Sequence, residues 1–232
     1  MKNDPLIPEI KDTLQYRDMK SGGSRSKNQR FGGCDMISIL IPNAKEENII
    51  ELLNEIDKLF PKAQVIIATD RDRRGKGWAV REALSQATGD IICFLDGDGD
   101  IHPAMIKRLL PHINEFDIVC GKKDAGSRID RKILTILSRL YIWVMFRIPV
   151  DTQTGIKLFR RDALPEWKEN GFSFDIEILA KAQKAGARMY NLGIEAKCER
   201  KMKLTSIWAT LKGSFRIWWD IVGDQILGCK QK

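Results

Sequence analysis

Ile91-Ile-Cys-Phe-Leu95-Asp-Gly-Asp-Gly-Asp100 decides the fold. Five apolar residues in a row, β-branched and aromatic among them, read as a strand buried on both faces, and the chain then breaks into carboxylates and glycines. The same rhythm runs outward on both sides. Met36-Ile-Ser-Ile-Leu-Ile41 is a second apolar run, closed by Pro42, and Val65-Ile-Ile-Ala-Thr69 a third. Between them Ile49, Leu52, Leu53, Ile56 and Leu59 recur at helical spacing over 46–60. Helices are expected over 78–87, near 103–113 and over 133–148, and a further strand over 117–120. Strands alternating with helices specify an α/β fold with a mostly parallel central sheet covered on both faces. In such sheets ligands bind beyond the carboxyl ends of the strands. The places to search are therefore just after Ile41, Thr69, Leu95 and Cys120.

Asp96, Asp98 and Asp100 stand at alternate positions where the sheet opens. Carboxylates this crowded repel one another unless a cation neutralises them, and hard oxygen donors suit Mg²⁺ or Mn²⁺. An EF-hand loop starting at Asp96 would need Gly at 101 and Glu at 107, but the chain has Ile101 and Lys107. A solvated acidic turn is the plainer alternative. It leaves unexplained why the cluster directly ends an apolar strand. His102, beside the cluster, is read as a neighbour of the site or a solvated side chain, with a ligand role as the alternative. Gly75-Lys-Gly77 lacks the GxxxxGK[ST] pattern of a phosphate-binding loop and is read as shaping the turn into a helix, with phosphate contact as the alternative.

Phe94-Leu-Asp-Gly-Asp-Gly-Asp-Ile-His-Pro103 resembles the "FLDAD…HP" segment of family 2 glycosyltransferases with the GT-A fold. Further matching pieces are Ile41-Pro42 with Glu46-Glu-Asn-Ile49, Gly75-Lys-Gly-Trp-Ala-Val-Arg-Glu-Ala83 and Ala87-Thr-Gly-Asp-Ile91. Asp151-Thr-Gln-Thr-Gly-Ile-Lys-Leu-Phe159 and Gly171-Phe-Ser-Phe-Asp-Ile-Glu-Ile-Leu179 complete the set. Together they span roughly 36–205, in the family's order, and are most similar to the dolichyl/polyprenyl-phosphate mannose synthase branch. The chain also departs from the pattern. Only Arg71-Asp-Arg-Arg74 separates Asp70 from Gly75, where the family usually inserts another helix and strand.

The resemblance implies metal-dependent transfer of a hexose from a nucleotide sugar, GDP- or UDP-linked, to polyprenyl phosphate, with inversion. Asp96 and Asp98 become the DxD that binds the cation bridging the donor diphosphate, with Asp100 able to join them. Pro42, Glu46 and Asp70 fall where the family holds base and ribose, although Glu47 is an equally good register for the acid. Lys123 falls on the nucleotide-sugar side. Arg128, Arg131, Thr135, Gln153, Arg200 and Lys203 are the implied acceptor side. Asp98, Asp175 and Arg131 are the implied catalytic residues. An anionic phosphate acceptor needs orientation more than a base, whereas a hydroxyl acceptor needs a base. Asp175 would serve the hydroxyl case, with a structural carboxylate as its alternative.

The chain of 232 residues carries 39 Lys+Arg against 31 Asp+Glu, a formal charge of +8. The surplus is all at the ends: residues 1–33 hold seven basic and four acidic side chains, and 196–232 hold eight and three. Residues 34–195 therefore read as a neutral GT-A catalytic domain between a flexible basic leader and a basic amphipathic C-terminal extension. In that extension Trp208, Leu211, Phe215, Trp218 and Val222 recur at helical spacing, as in a helix lying on a membrane surface. The alternative is packing on the domain. Five scattered cysteines without CxxC argue for a reducing, cytoplasmic setting and against zinc or disulfides. Arg139 and Arg147 interrupt the longest apolar stretch, so a spanning helix is not expected and any membrane attachment would be peripheral. Two rivals remain. Sugar could pass to a hydroxyl, including a hydroxymethylated DNA base, since basic tails also suit a phosphate backbone. A non-catalytic basic module binding nucleic acid or membrane is the other.

Overall fold

The computed structural model describes residues 36–42, 46–70, 72–123, 129–195 and 211–221, with the side chains of 46–48 and 129–135 outside that description. The elements are β1 (Ile37–Pro42), α1 (Glu46–Leu59), β2 (Gln64–Ala68), α2 (Lys76–Gln86), β3 (Ile91–Leu95), α3 (Ala104–Leu109), β4 (Ile118–Lys123), α4 (Ile129–Phe146), β5 (Ile156–Arg160), α5 (Phe174–Lys184) and β6 (Met189–Ile194). A last helix, α6, covers 211–221. The leader and the basic residues at 197–203 lie outside the described residues.

Six strands form one sheet in the order β2-β1-β3-β5-β4-β6. β1 runs parallel to β2 and β3, and β4 parallel to β6. β5 runs antiparallel to both neighbours. The expected parallel sheet is thus correct except for β5, and β6 is an additional edge strand. The helix expected near 103–113 is split: α3 ends at Leu109 and a 3-10 turn covers Leu110–Asn114. Pro111 supplies no N–H to an α-helical ladder, which explains the change. α4 starts and stops earlier than its apolar run suggested. Arg147 takes φ 57, its N–H reaches Trp143 O at 2.8 Å, and Pro149 follows, which is the usual left-handed helix stop with arginine in glycine's place.

The sheet separates two apolar layers. One joins Ile39, Ile41, Cys93, Leu95, Ile156 and Leu158 to α1 and α3. The other joins Leu40, Phe94, Cys120 and Phe159 to α2, α5, Trp167 and the buried side of α4. α6 packs on this second layer through Ile217, 4% exposed, while Ser214 meets the Tyr141 hydroxyl at 3.0 Å. Cys93 and Cys120 are free and buried, and burial pushes the Cys120 thiol up to about 12.

Glu177 fixes the segment that leads into α5. Its carboxylate accepts the backbone N–H of Lys168 and Glu169 and pairs with Lys181 at 2.6 Å. Burial pushes its pKa up, but the Lys181 contact and the two backbone donors outweigh burial and hold it below the ordinary value of 4.5. A carboxyl depressed on folding stabilises the protein above its unfolded pKa and loses that contribution as pH falls through the folded one. We expect Glu177→Gln to cost on the order of 2 kcal/mol near neutral pH. In thermal melts, the gap between variant and parent should narrow steadily as pH drops below 4.5.

Candidate active site

β1, β2, β3, β4 and β6 point their carboxyl ends to one edge of the sheet, and reversed β5 begins there. Pairing of Leu95 with Ile156 sets Asp96 beside Gly155, and the Asp96 N–H donates to Gly155 O at 2.8 Å. A side chain at 155 would collide with this aspartate: a Cβ there would lie 2.6 Å from Asp96 Oδ2. Glycine is required by the close approach, not by its φ. One residue earlier, the buried Oγ1 of Thr154 has no hydrogen-bond partner among the described residues.

Asp96 faces a cation supplied from α2. Lys76 Nζ lies 2.6 Å from Asp96 Oδ1, with both side chains partly enclosed. The flanking glycines make this possible. At Gly75, with φ +114, a Cβ would lie 2.2 Å from Asn170 O, and at Gly77 it would lie 2.4 Å from Glu169 O. The 169–171 backbone therefore closes over the start of α2, and Gly77 N donates to Asn170 O at 2.7 Å. Trp167 Nε1 caps the contact by donating to Gly77 O at 3.0 Å. The glycines shape the entry to α2, as the sequence suggested, while the lysine between them belongs to the site.

A second ion pair lies beneath. Lys157 in β5, only 2% exposed, places Nζ 3.1 Å from Asp175 Oδ1 at the start of α5 and 2.6 Å from Thr154 O. Burial pulls the Lys157 pKa down, but the negative charges of Asp175 and Asp96 and the hydrogen bond to Asp175 more than offset this and leave it raised. For Asp175, burial is the larger effect and raises its pKa against the opposing pull of Lys157 and Lys76. Lys76, Lys157, Asp96 and Asp175 thus form one mutually compensating charge group.

Asp98 and Asp100 follow in the same turn, where Asp98 Oδ1 accepts the Asp100 N–H at 3.1 Å. Among the described residues no group of three His, Cys, Asp or Glu side chains is gathered closely enough to hold a metal ion by itself. Ligand oxygens would have to complete any cation site. His102 Nδ1 accepts the Ala104 N–H at 3.1 Å, which organises the start of α3. Asp70 accepts the N–H groups of Arg74 and Gly75 at 2.8 and 2.6 Å and so builds the turn into α2. Pro42 and Lys123 end β1 and β4 at the same edge. The Gln153 N–H donates to Asp151 Oδ1, and Asp151 is held by Arg139 at 2.8 Å. Arg128, Arg200 and Lys203, and the side chains of Glu46, Arg131 and Thr135, lie outside the described residues; the backbone of the last two is in α4.

Reasoning from sequence missed Lys76, Lys157 and the role of Gly155. Lys157 carried a signal, because a lysine inside Ile156-Lys-Leu-Phe159 has no place in a buried strand without a charge partner. Lys76 carried none beyond its glycines.

Residues 34–167 match the domain described as glycosyl transferase family 2, and the chain belongs to that family. It is similar to the glycosyltransferase AglD of Haloferax volcanii, with 27% identity over 65% of this chain and 26% of AglD. It is also similar to the dolichyl-phosphate beta-glucosyltransferase of Drosophila melanogaster, with 28% identity over 91% of this chain and 70% of the relative. The chain thus spans about a quarter of AglD and about two thirds of the fly protein. Glucosyl-3-phosphoglycerate synthase of Mycobacterium tuberculosis, solved with Mn²⁺, UDP-glucose and phosphoglyceric acid, shares the fold. Its TM-score is 0.59 at 19% identity, covering 82% of this chain and 80% of that one. The GT-A architecture expected from the motifs is the architecture found.

Gly155→Ala should force the Asp96 carboxylate aside and cost about 1–3 kcal/mol as overpacking. Gly193→Ala in β6, where a Cβ meets nothing within 4 Å, is the control and should be close to neutral. Thermal unfolding of the two variants separates a specific collision at the site from a general effect of adding a methyl group.

Proposed function

We propose that this chain transfers a hexose from a nucleotide sugar to polyprenyl phosphate with the help of Mg²⁺ or Mn²⁺. The observation that carries the reading is the delivery of Asp96 and Asp98 by β3 to the sheet edge where α/β folds bind ligands, in a chain of family 2. The donor set fits such a cation. It consists of hard carboxylate oxygens, and the missing side chain at 155 leaves room at Asp96 Oδ2 that a Cβ would fill. Mg²⁺ and Mn²⁺ accept one or two carboxylates together with substrate phosphate oxygens, so a full protein cage is unnecessary. Asp96 and Asp98 would hold the ion, with Asp100 alongside. A bound divalent cation offsets the charge that develops on the departing diphosphate.

The protein's own groups do the rest. Pro42, Glu46 and Asp70 stand on the nucleotide side, and Lys123 at the end of β4 adds positive charge toward the diphosphate. Arg128, Arg131, Thr135, Gln153, Arg200 and Lys203 would receive the acceptor phosphate, where a good charge-assisted hydrogen bond contributes about 1.5–3 kcal/mol. An acceptor phosphate is already anionic, so the chemistry needs alignment rather than proton removal. This suits Asp175, whose carboxylate is engaged by Lys157 and positions the floor of the site.

A lipid acceptor is supported by the names of the dolichyl-phosphate relatives and by one feature of α4. Past Arg131 and Thr135, this helix exposes Ile136, Leu137, Leu140, Trp143 and Val144, spaced along one face. Arg147 lies over the Trp143 ring at 4.6 Å, and Phe215 and Trp219 of α6 are exposed as well. Among the described residues no helix is long and apolar enough to cross a membrane. Such a face would rest on a bilayer surface, with tryptophan at the headgroup level.

Thermal shift with UDP-glucose and GDP-mannose, each with and without Mn²⁺, tests the donor half. One of them should raise the melting temperature in a Mn²⁺-dependent way, and Asp98→Ala should lose the Mn²⁺-dependent part. Failure of both sugars at concentrations far above ordinary dissociation constants would overturn the assignment. For the surface, Leu140→Glu with Trp143→Glu should reduce co-sedimentation with phospholipid vesicles at unchanged melting temperature. Equal sedimentation of variant and parent would remove α4 from the account.

A further inference from the structure

In the structure the DxD aspartate Asp96 already has a cation, and that cation is part of the chain. Lys76 Nζ sits 2.6 Å from Asp96 Oδ1, its side chain 14% exposed, about 6.0 Å from the centre of the Phe174 ring. Its backbone is fixed, because Gly75 and Gly77 are clamped against Glu169 and Asn170. Behind it Lys157 is paired with Asp175. Two ammonium groups thus stand against Asp96 and Asp175, with the carboxylates of Asp98 and Asp100 in the adjoining turn. A divalent cation entering at Asp96 is repelled by the Lys76 ammonium and competes with it for the same carboxylate, while Asp98 and Asp100 attract the cation. A nucleoside diphosphate brings compensating negative charge and offers the displaced ammonium new oxygen partners.

We propose that Lys76 acts as the resident counter-ion of Asp96, so that a divalent cation and a nucleoside diphosphate bind as a coupled pair. The inference rests on the donor reading above and adds to it a coupling residue. Coupling between two ligands is reciprocal: whatever factor the nucleotide adds to cation affinity, the cation adds to nucleotide affinity. Removing the ammonium should tighten cation binding on its own and shrink that factor.

The test is a titration of Mn²⁺, with free ion read by electron paramagnetic resonance, on parent protein, Lys76→Met, Lys76→Gln and Lys76→Arg. Each is measured alone and with saturating UDP, with GDP as a parallel arm. In the parent, the nucleotide should tighten Mn²⁺ binding by roughly tenfold or more. Without nucleotide, Lys76→Met and Lys76→Gln should bind Mn²⁺ several-fold more tightly than the parent, and the nucleotide effect should shrink. Lys76→Arg should keep the parental pattern. Melting temperatures identify which neutral variant is folded, and either one suffices. The inference is overturned if a folded neutral variant shows parental Mn²⁺ affinity without nucleotide, or an undiminished nucleotide effect. Absence of Mn²⁺ binding to the parent with either nucleotide would instead overturn the donor reading, and this inference with it.

Discussion

The site depends on one strand running against its neighbours. In a wholly parallel sheet the strand beside β3 would end at the ligand edge and return through a helix. β5 instead begins at that edge, antiparallel to β3 and β4. Its first residue pairs with the last residue of β3, so the residue before β5 must lie against the residue after β3. These are Gly155 and Asp96, and only glycine fits. The same register turns Lys157 toward the α2 and α5 layer, where Asp175 meets it. The position of the first DxD carboxylate, the demand for glycine opposite it and the buried ion pair below all follow from the direction of β5.

Electrostatics then decides what the pocket can hold. Taking one charge from water costs several kcal/mol, and a buried pair is tolerable only when its remaining hydrogen-bonding capacity is met. Lys157 satisfies this by donating to Thr154 O as well as to Asp175. Lys76 and Asp96, closer to solvent, complete a set of two positive and two negative groups. In the proposed coupling, the Lys76 ammonium raises the cost of placing a further cation at Asp96, and negative charge brought by a ligand lowers it. A nucleoside diphosphate would bring that negative charge, so cation and nucleotide would each favour the binding of the other.

Much of this architecture was legible in the sequence. β1, β2 and β3 are near-continuous apolar runs, and α1 has a clean helical period, so the first half of the sheet follows from pattern alone. The carboxylates after Leu95 stand out because they interrupt such a run. β5 and β6 were less readable for physical reasons. β5 contains Lys157, whose burial is repaid by a partner on a helix that follows it in the chain. β6 (Met189–Ile194) is an edge strand paired only with β4, and Asn191 and Gly193 in its half-covered middle break the apolar pattern. The Gly75-Lys-Gly77 turn was readable as a turn, but not as the source of a cation for Asp96, because that meeting depends on how the 169–171 backbone closes over α2. The helical spacing at 208–222 suggested an external face. In the structure α6 divides its residues, burying Ile217 and Ser214 and exposing Phe215 and Trp219.

The proposed reaction joins a donor read from family membership and sheet geometry to a lipid-borne acceptor read from the exposed face of α4 and the relatives' names. Whether the two meet in one reaction is read by incubating the full chain with a sugar-labelled nucleotide donor, Mn²⁺ and dolichyl phosphate in detergent, then measuring label in the organic phase. The expected product is an acid-labile, lipid-soluble glycosyl phosphate that forms only when dolichyl phosphate is present. Binding and turnover of the donor with no label entering dolichyl phosphate, or with label passing to a hydroxyl acceptor instead, would contradict it.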